Sequence, residues 1–118
     1  MPWVVLFYAD ARGREPVREW LDELERSNPR DFGTVRHTID LLEEFGVHLS
    51  EPYSKQLEGK LRELRPGRWR ITYFADPQRR FVLLTSFRKA RSRTDPREIA
   101  RAKRFMDDWV RRTKKGTR

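Results

Sequence analysis

The chain opens on an apolar stretch, Trp3, Val4, Val5, Leu6, Phe7 and Tyr8, whose β-branched and aromatic content predicts a strand over residues 3–8. A turn at 10–13, Asp-Ala-Arg-Gly, closes it. The period then changes. Val17, Trp20, Leu21 and Leu24 recur at i, i+3, i+4 and i+7, one face of a helix that starts at Pro16 and ends near Arg26. Asn28 and Pro29 supply a second cap and first-turn proline, and Phe32, Val35, Ile39, Leu42 and Phe45 form a second helical stripe stopped by Gly46. So short a junction predicts an antiparallel αα-hairpin. Residues 47–55, with Ser50, Pro52 and Ser54, read as a loop. Three short strands are predicted beyond it, at 60–65, 69–74 and 81–87, separated by Pro66-Gly67 and by Asp76-Pro77-Gln78. Asp95 is the candidate cap of a last helix whose apolar face is Ile99, Ala102, Met106, Trp109 and Val110, and residues 113–118 read as a fraying tail. The expected fold is α+β: one small domain over 1–118, with an N-terminal strand, an αα-hairpin, a three-stranded antiparallel meander and a C-terminal helix. Helices on one face would leave the other face of the meander open for function.

Composition narrows the chemistry. The 118 residues include no cysteine and only two histidines, His37 and His48, so disulfides, thiolate chemistry and histidine metal clusters are set aside, and no cofactor is expected. The first apolar stretch is too short for a signal peptide or a membrane span, which with the missing cysteines points to the cytoplasm. Charge is abundant, at 38% of residues and a net +9, and it is unevenly placed. Residues 1–51 carry 6 basic and 11 acidic side chains, a net of −5, whereas residues 52–118 carry 21 and 7, a net of +14. A field of that kind steers polyanions toward the second half. Arginine outnumbers lysine 21 to 6, which suits bidentate phosphate recognition.

Strand alternation then groups the charges. Leu61, Glu63 and Arg65 share one face of their strand; Trp69, Ile71 and Tyr73 read as core, which puts Arg70 and Thr72 on the opposite, outer face. If Glu63 and Arg65 join that face, a single carboxylate stands among guanidinium groups, with Arg88, Lys89, Arg91 and Arg93 following the last strand. Cleavage of RNA by its own 2′-hydroxyl needs a base, cations on the phosphate and a donor for the leaving oxygen. Glu63 is the candidate base, Arg65 and Arg70 the clamps, and Lys89 or Tyr73 the acid. Further phosphate contacts are assigned to Arg88, Arg91, Arg93 and Lys60. The plainer alternative is a cross-strand ion pair that stabilises the sheet by a few tenths to about 1 kcal/mol.

These residues resemble the RelE/ParE toxin superfamily of bacterial type II toxin–antitoxin modules, in its HigB-like, phage-derived branch. The resemblance is carried by KQLEGKLRELRPGRWRITYF, VLLTSFRKARSRT and DPREIARAKRFMDDW. It implies a ribosome-dependent mRNA endoribonuclease that inhibits translation without a metal and is neutralised by a cognate helix-turn-helix antitoxin. Arg70 matches the family's phosphate-binding arginine, Glu63 and Arg65 its Glu-Leu-Arg segment, and Lys89 or Arg91 the basic group after the last strand. The alternatives are a non-catalytic RNA-binding module or a ParE-like gyrase inhibitor on the same fold.

Overall fold

In the computed structural model, which describes residues 2–116 and side chains as far as 114, Pro16 and Pro29 each sit at the start of a helix, where a missing N–H costs nothing. Helix α1 spans Pro16–Ser27 and α2 spans Pro29–Phe45. Asn28 closes the first through its backbone N–H on Leu24 and opens the second by accepting the N–H of Asp31 at 3.1 Å. A 3-10 turn, Gly46–His48, follows. The strands are β1 (Val5–Phe7), β2 (Ser54–Glu58), β3 (Leu61–Leu64), β4 (Trp69–Ala75) and β5 (Phe81–Arg88), and α3 (Pro96–Gly116) ends the described chain. They form one mixed sheet in the order β1-β5-β4-β3-β2, with β1 parallel to β5 and every other pair antiparallel.

The meander therefore has four strands where three were expected. Ser54–Glu58 pairs with β3 as an edge strand, although its sequence reads as loop. Helix α3 also continues through Thr113–Gly116, four residues into the stretch expected to fray; residues 117 and 118 lie outside the described residues.

The larger correction concerns the second face of the sheet. One face holds the hairpin, with Val17, Leu21, Leu24, Val35, Ile39 and Leu42 packed against Leu64, Ile71, Tyr73, Phe81 and Leu83. The other is not open: Leu61, Phe74, Val82 and Leu84 pack under Ala102, Ile99, Phe105, Met106 and Trp109 of α3. An amphipathic helix must bury its stripe somewhere, and the strands around it are apolar on both faces. Midway along β5 the pairing shifts by one residue, Thr72 facing Thr85 and Tyr73 facing Leu83, so that Leu84 is extra. Helix α3 is anchored at both ends of its contact, by Lys103 Nζ to Glu58 Oε1 at 2.6 Å and by Tyr8 Oη to Asp108 Oδ2 at 2.6 Å. Among the described residues no helix is long and apolar enough to cross a membrane.

Candidate functional site

The part of the second face that α3 leaves uncovered lies beyond its N-terminus. There the sheet carries polar residues: Glu63 on β3 stands opposite Thr72 on β4, which stands opposite Thr85 on β5, the two hydroxyls 2.5 Å apart. Next along β4, Arg70 faces Phe87. The β3–β4 turn positions Arg70 further. Gly67 adopts a φ of +57° that favours glycine, and the carbonyls of Gly67 and Trp69 accept from Arg70 Nη1 at 2.9 and 2.8 Å. Arg70 is only 6% exposed, held from behind by the backbone. Burial, then the positive charge of Arg65, lower its pKa from the ordinary arginine value, with Glu63 acting in the other direction.

Glu63 is 1% exposed. Its Oε1 accepts from Thr94 Oγ1 at 2.8 Å, while its Oε2 lies 3.5 Å from Arg65 Nε and 3.9 Å from Arg70 Nε. The expected exposed carboxylate is thus a sealed counter-ion beneath two guanidinium groups. Arg65 Nε is buried and makes no hydrogen bond, although its guanidinium also lies 4.0 Å from Glu51 Oε1. Thr94 ties the segment after β5 down to β3, and two residues later α3 begins, with Asp95 Oδ1 accepting the N–H of Arg97 at 2.8 Å as the sequence predicts for a cap.

The result is a cleft of about 90 Å³ lined by Arg65 and Arg70 of the sheet, by residues 87–95 after β5 and by Glu98 of α3. Six cations line it, Arg65, Arg70, Arg88, Lys89, Arg91 and Arg93, against Asp95 and Glu98 at the rim and Glu63 below. Arg88, Lys89, Arg91 and Arg93 make no side-chain hydrogen bond or ion pair among the described residues. A surplus of three positive charges around so small a concavity suits one tetrahedral oxyanion, bound by charge-assisted hydrogen bonds.

Of the eight residues assigned from the sequence, the fold brings six to the lining of this cleft and places Glu63 under it. Lys60 is elsewhere. It precedes β3 as Arg65 follows it, and at about 3.3 Å per residue the strand holds the two roughly 16 Å apart; Lys60 instead lies beside Phe74, Pro77 and Met106. Tyr73, weighed as an acid, points into the opposite core, where its hydroxyl meets Ser54 Oγ at 2.5 Å and Arg62 Nε at 3.3 Å. Two residues were missed as members of the site: Thr94, legible only as a helix opener, and Glu98, which joins the lining from the first turn of α3.

Among the described residues no three His, Asp or Glu side chains cluster as metal ligands. No curated protein matches the chain in sequence. Residues 19–107, about three quarters of it, match the family described as Phage derived protein Gp49-like (DUF891), and that span contains the entire cleft. The match supports the phage-derived, toxin-like side of the resemblance drawn from the motifs. The chain belongs to the Gp49-like family of phage-derived proteins.

Proposed function

We propose that this protein is the toxin of a toxin–antitoxin pair, a RelE/HigB-like endoribonuclease that cleaves mRNA on the ribosome by attack of a ribose 2′-hydroxyl on the neighbouring phosphate. The observation that carries this reading is the buried Arg70, fixed by two backbone carbonyls and by Glu63, beside Arg65 and four cations without ion pairs. A surface arginine placed for solubility does not need such support; a guanidinium that must meet a phosphate in one orientation does. Membership of the Gp49-like family supports the toxin half of the proposal.

In this reading Arg65 and Arg70 hold the non-bridging oxygens of the scissile phosphate and stabilise the extra charge of the pentavalent transition state. Lys89, exposed in the cleft lining, is the donor toward the leaving 5′-oxygen. The arginines supply the charge neutralisation, so the step can run without a divalent ion. The neutralising partner, a helix-turn-helix antitoxin in this reading, covers the cleft and presents carboxylates to it.

The test is controlled induction without the partner, with RNA ends and chromosomal integrity read together. Growth arrest, mRNA fragments with 5′-hydroxyl ends and intact DNA are the expected result, and chelators leave cleavage of ribosome-bound mRNA unchanged. DNA breaks with intact mRNA would replace the proposal by gyrase poisoning. Normal growth with soluble protein present would overturn both.

A further inference from the structure

We propose that Glu98, and not Glu63, is the catalytic carboxylate that takes the proton from the attacking 2′-hydroxyl, while Glu63 is a positioning residue for the two arginines. This assignment rests on the ribonuclease reading above and concerns the same cleft. A base must come within about 2.6–3.2 Å of the oxygen whose proton it removes. Glu63 does not line the cleft, is 1% exposed, and has its two oxygens turned to Thr94, Arg65 and Arg70. A substrate hydroxyl reaches it only by displacing one of the groups that fix the phosphate.

Two carboxylates do line the cleft, Asp95 and Glu98. Asp95 is committed. Its Oδ1 accepts the Arg97 N–H at 2.8 Å, its Oδ2 takes the Arg97 guanidinium at 3.0 Å, and that arginine holds the carboxyl below its usual range. Glu98 makes no side-chain hydrogen bond or ion pair among the described residues. Its ordinary employment would be the capping box, since it stands three residues after the cap Asp95, where a glutamate reaches back to the cap's own N–H. That bond is not made: only the backbone N–H of Glu98 is used, on the Asp95 carbonyl at 2.9 Å. The carboxylate is left half-buried in the lining of a cleft that also includes Arg65, Arg70, Arg91 and Arg93.

The step balances as follows. The O2′–H bond breaks and its proton passes to Glu98, O2′ bonds to phosphorus, the P–O5′ bond breaks, and Lys89 gives a proton to O5′. The products are a 2′,3′-cyclic phosphate and a 5′-hydroxyl. Glu98 ends protonated and Lys89 neutral, and exchange with water restores both.

The experiment compares wild type, Glu98→Gln and Glu63→Gln on programmed ribosomes, using one mRNA and its analogue with a 2′-deoxyribose at the cleaved position. Glu98→Gln is expected to retain the wild-type thermal midpoint and to bind the deoxy analogue at least as tightly. It loses cleavage by about 10²- to 10⁴-fold, and with it the acid limb of the pH–rate profile. Glu63→Gln is expected to lower the thermal midpoint and weaken binding together, as the arginines lose their anchor. Wild-type cleavage with Glu98→Gln within about threefold of it and an unchanged acid limb would overturn the assignment alone. Absence of cleavage by wild type itself would instead remove the ribonuclease reading.

Discussion

At the scale of single residues, the pair Glu63 and Arg70 couples stability to the site. Both are buried, and each is also tied to a different part of the chain: Glu63 to Thr94, Arg70 to the Gly67 and Trp69 carbonyls. Breaking a buried pair by removing one partner strands the other charge, at a cost of about 3 kcal/mol or more. Arg70→Ala should therefore lower stability by about that amount in urea unfolding at neutral pH, and adding Glu63→Gln should recover part of the loss. A full loss in the single variant with no recovery in the double would mean that the two side chains act independently. A second residue pair, at the far end of α3, contributes to the acid behaviour. Hydrogen bonds from Arg112 and Tyr8 hold the Asp108 carboxyl down to about 2, while burial and Asp108 push the Tyr8 phenol up to about 12. A carboxyl lowered by folding contributes stability above its unfolded value near 3.8, and that contribution disappears as the pH falls toward 2. Asp108→Asn should cost roughly 1–2 kcal/mol at pH 6 once solvent screening is allowed for, and the gap to wild type should close between pH 4 and pH 2. A gap constant with pH would place its origin in packing. The Tyr8 contribution runs the other way, full below pH 10 and lost as the phenol ionises toward 12.

At the scale of elements, two glycines at opposite ends of α2 predict opposite outcomes. Gly46 ends the helix with φ 53° and ψ −124°, and a Cβ there would fall within the indole of Trp3, itself packed on Phe81. Gly46→Ala combines backbone strain with displacement of a core tryptophan and should destabilise by about 3 kcal/mol, with a change in tryptophan fluorescence. Gly33 lies inside the same helix, exposed, with nothing within 4 Å of an added Cβ. Gly33→Ala should stabilise by about 0.5–1 kcal/mol, read as a raised thermal midpoint. The same local logic explains which elements the sequence discloses. Both hairpin helices and β3 to β5 show in the apolar period because each turns a stripe or a face to a core. Strand β2 does not, since only Ser54 is fully buried and Lys55, Gln56 and Glu58 are exposed on an edge. Its identity comes from pairing with β3, a long-range fact. The site follows this division. Alternation correctly groups Glu63, Arg65 and Arg70 on one face, but assigns that face to solvent, because periodicity says which residues lie together and not what covers them. Helix α3 covers the apolar end of that face, the segment before it closes over Glu63 through Thr94, and Glu98 enters the cleft from the first turn of α3.

At the scale of the whole molecule, the division of charge becomes a direction in space. The acidic half of the chain forms α1 and α2 on one face of the sheet, and many of its arginines are spent locally: Arg14 pairs with Glu19, Arg26 with Glu23 and Arg36 with Asp40. The basic half places four cations without ion pairs among the described residues around the cleft on the other face, Arg88, Lys89, Arg91 and Arg93. Net charge alone and a localised phosphate track therefore make different predictions for RNA binding. Each phosphate neutralised on a single strand contributes about −0.7 to the slope of log affinity against log salt. If Arg88, Lys89 and Arg91 each meet a phosphate, the triple alanine variant should lose about 2 from that slope, measured by anisotropy with a labelled single-stranded RNA between 50 and 200 mM salt. The control is the triple variant Arg14→Ala, Arg26→Ala, Arg36→Ala, which removes the same formal charge from arginines already paired on the hairpin. It should leave the slope near that of wild type. Equal losses in the two variants would show that RNA responds to the overall charge of the protein, and the cleft would then lose its claim to be the binding track.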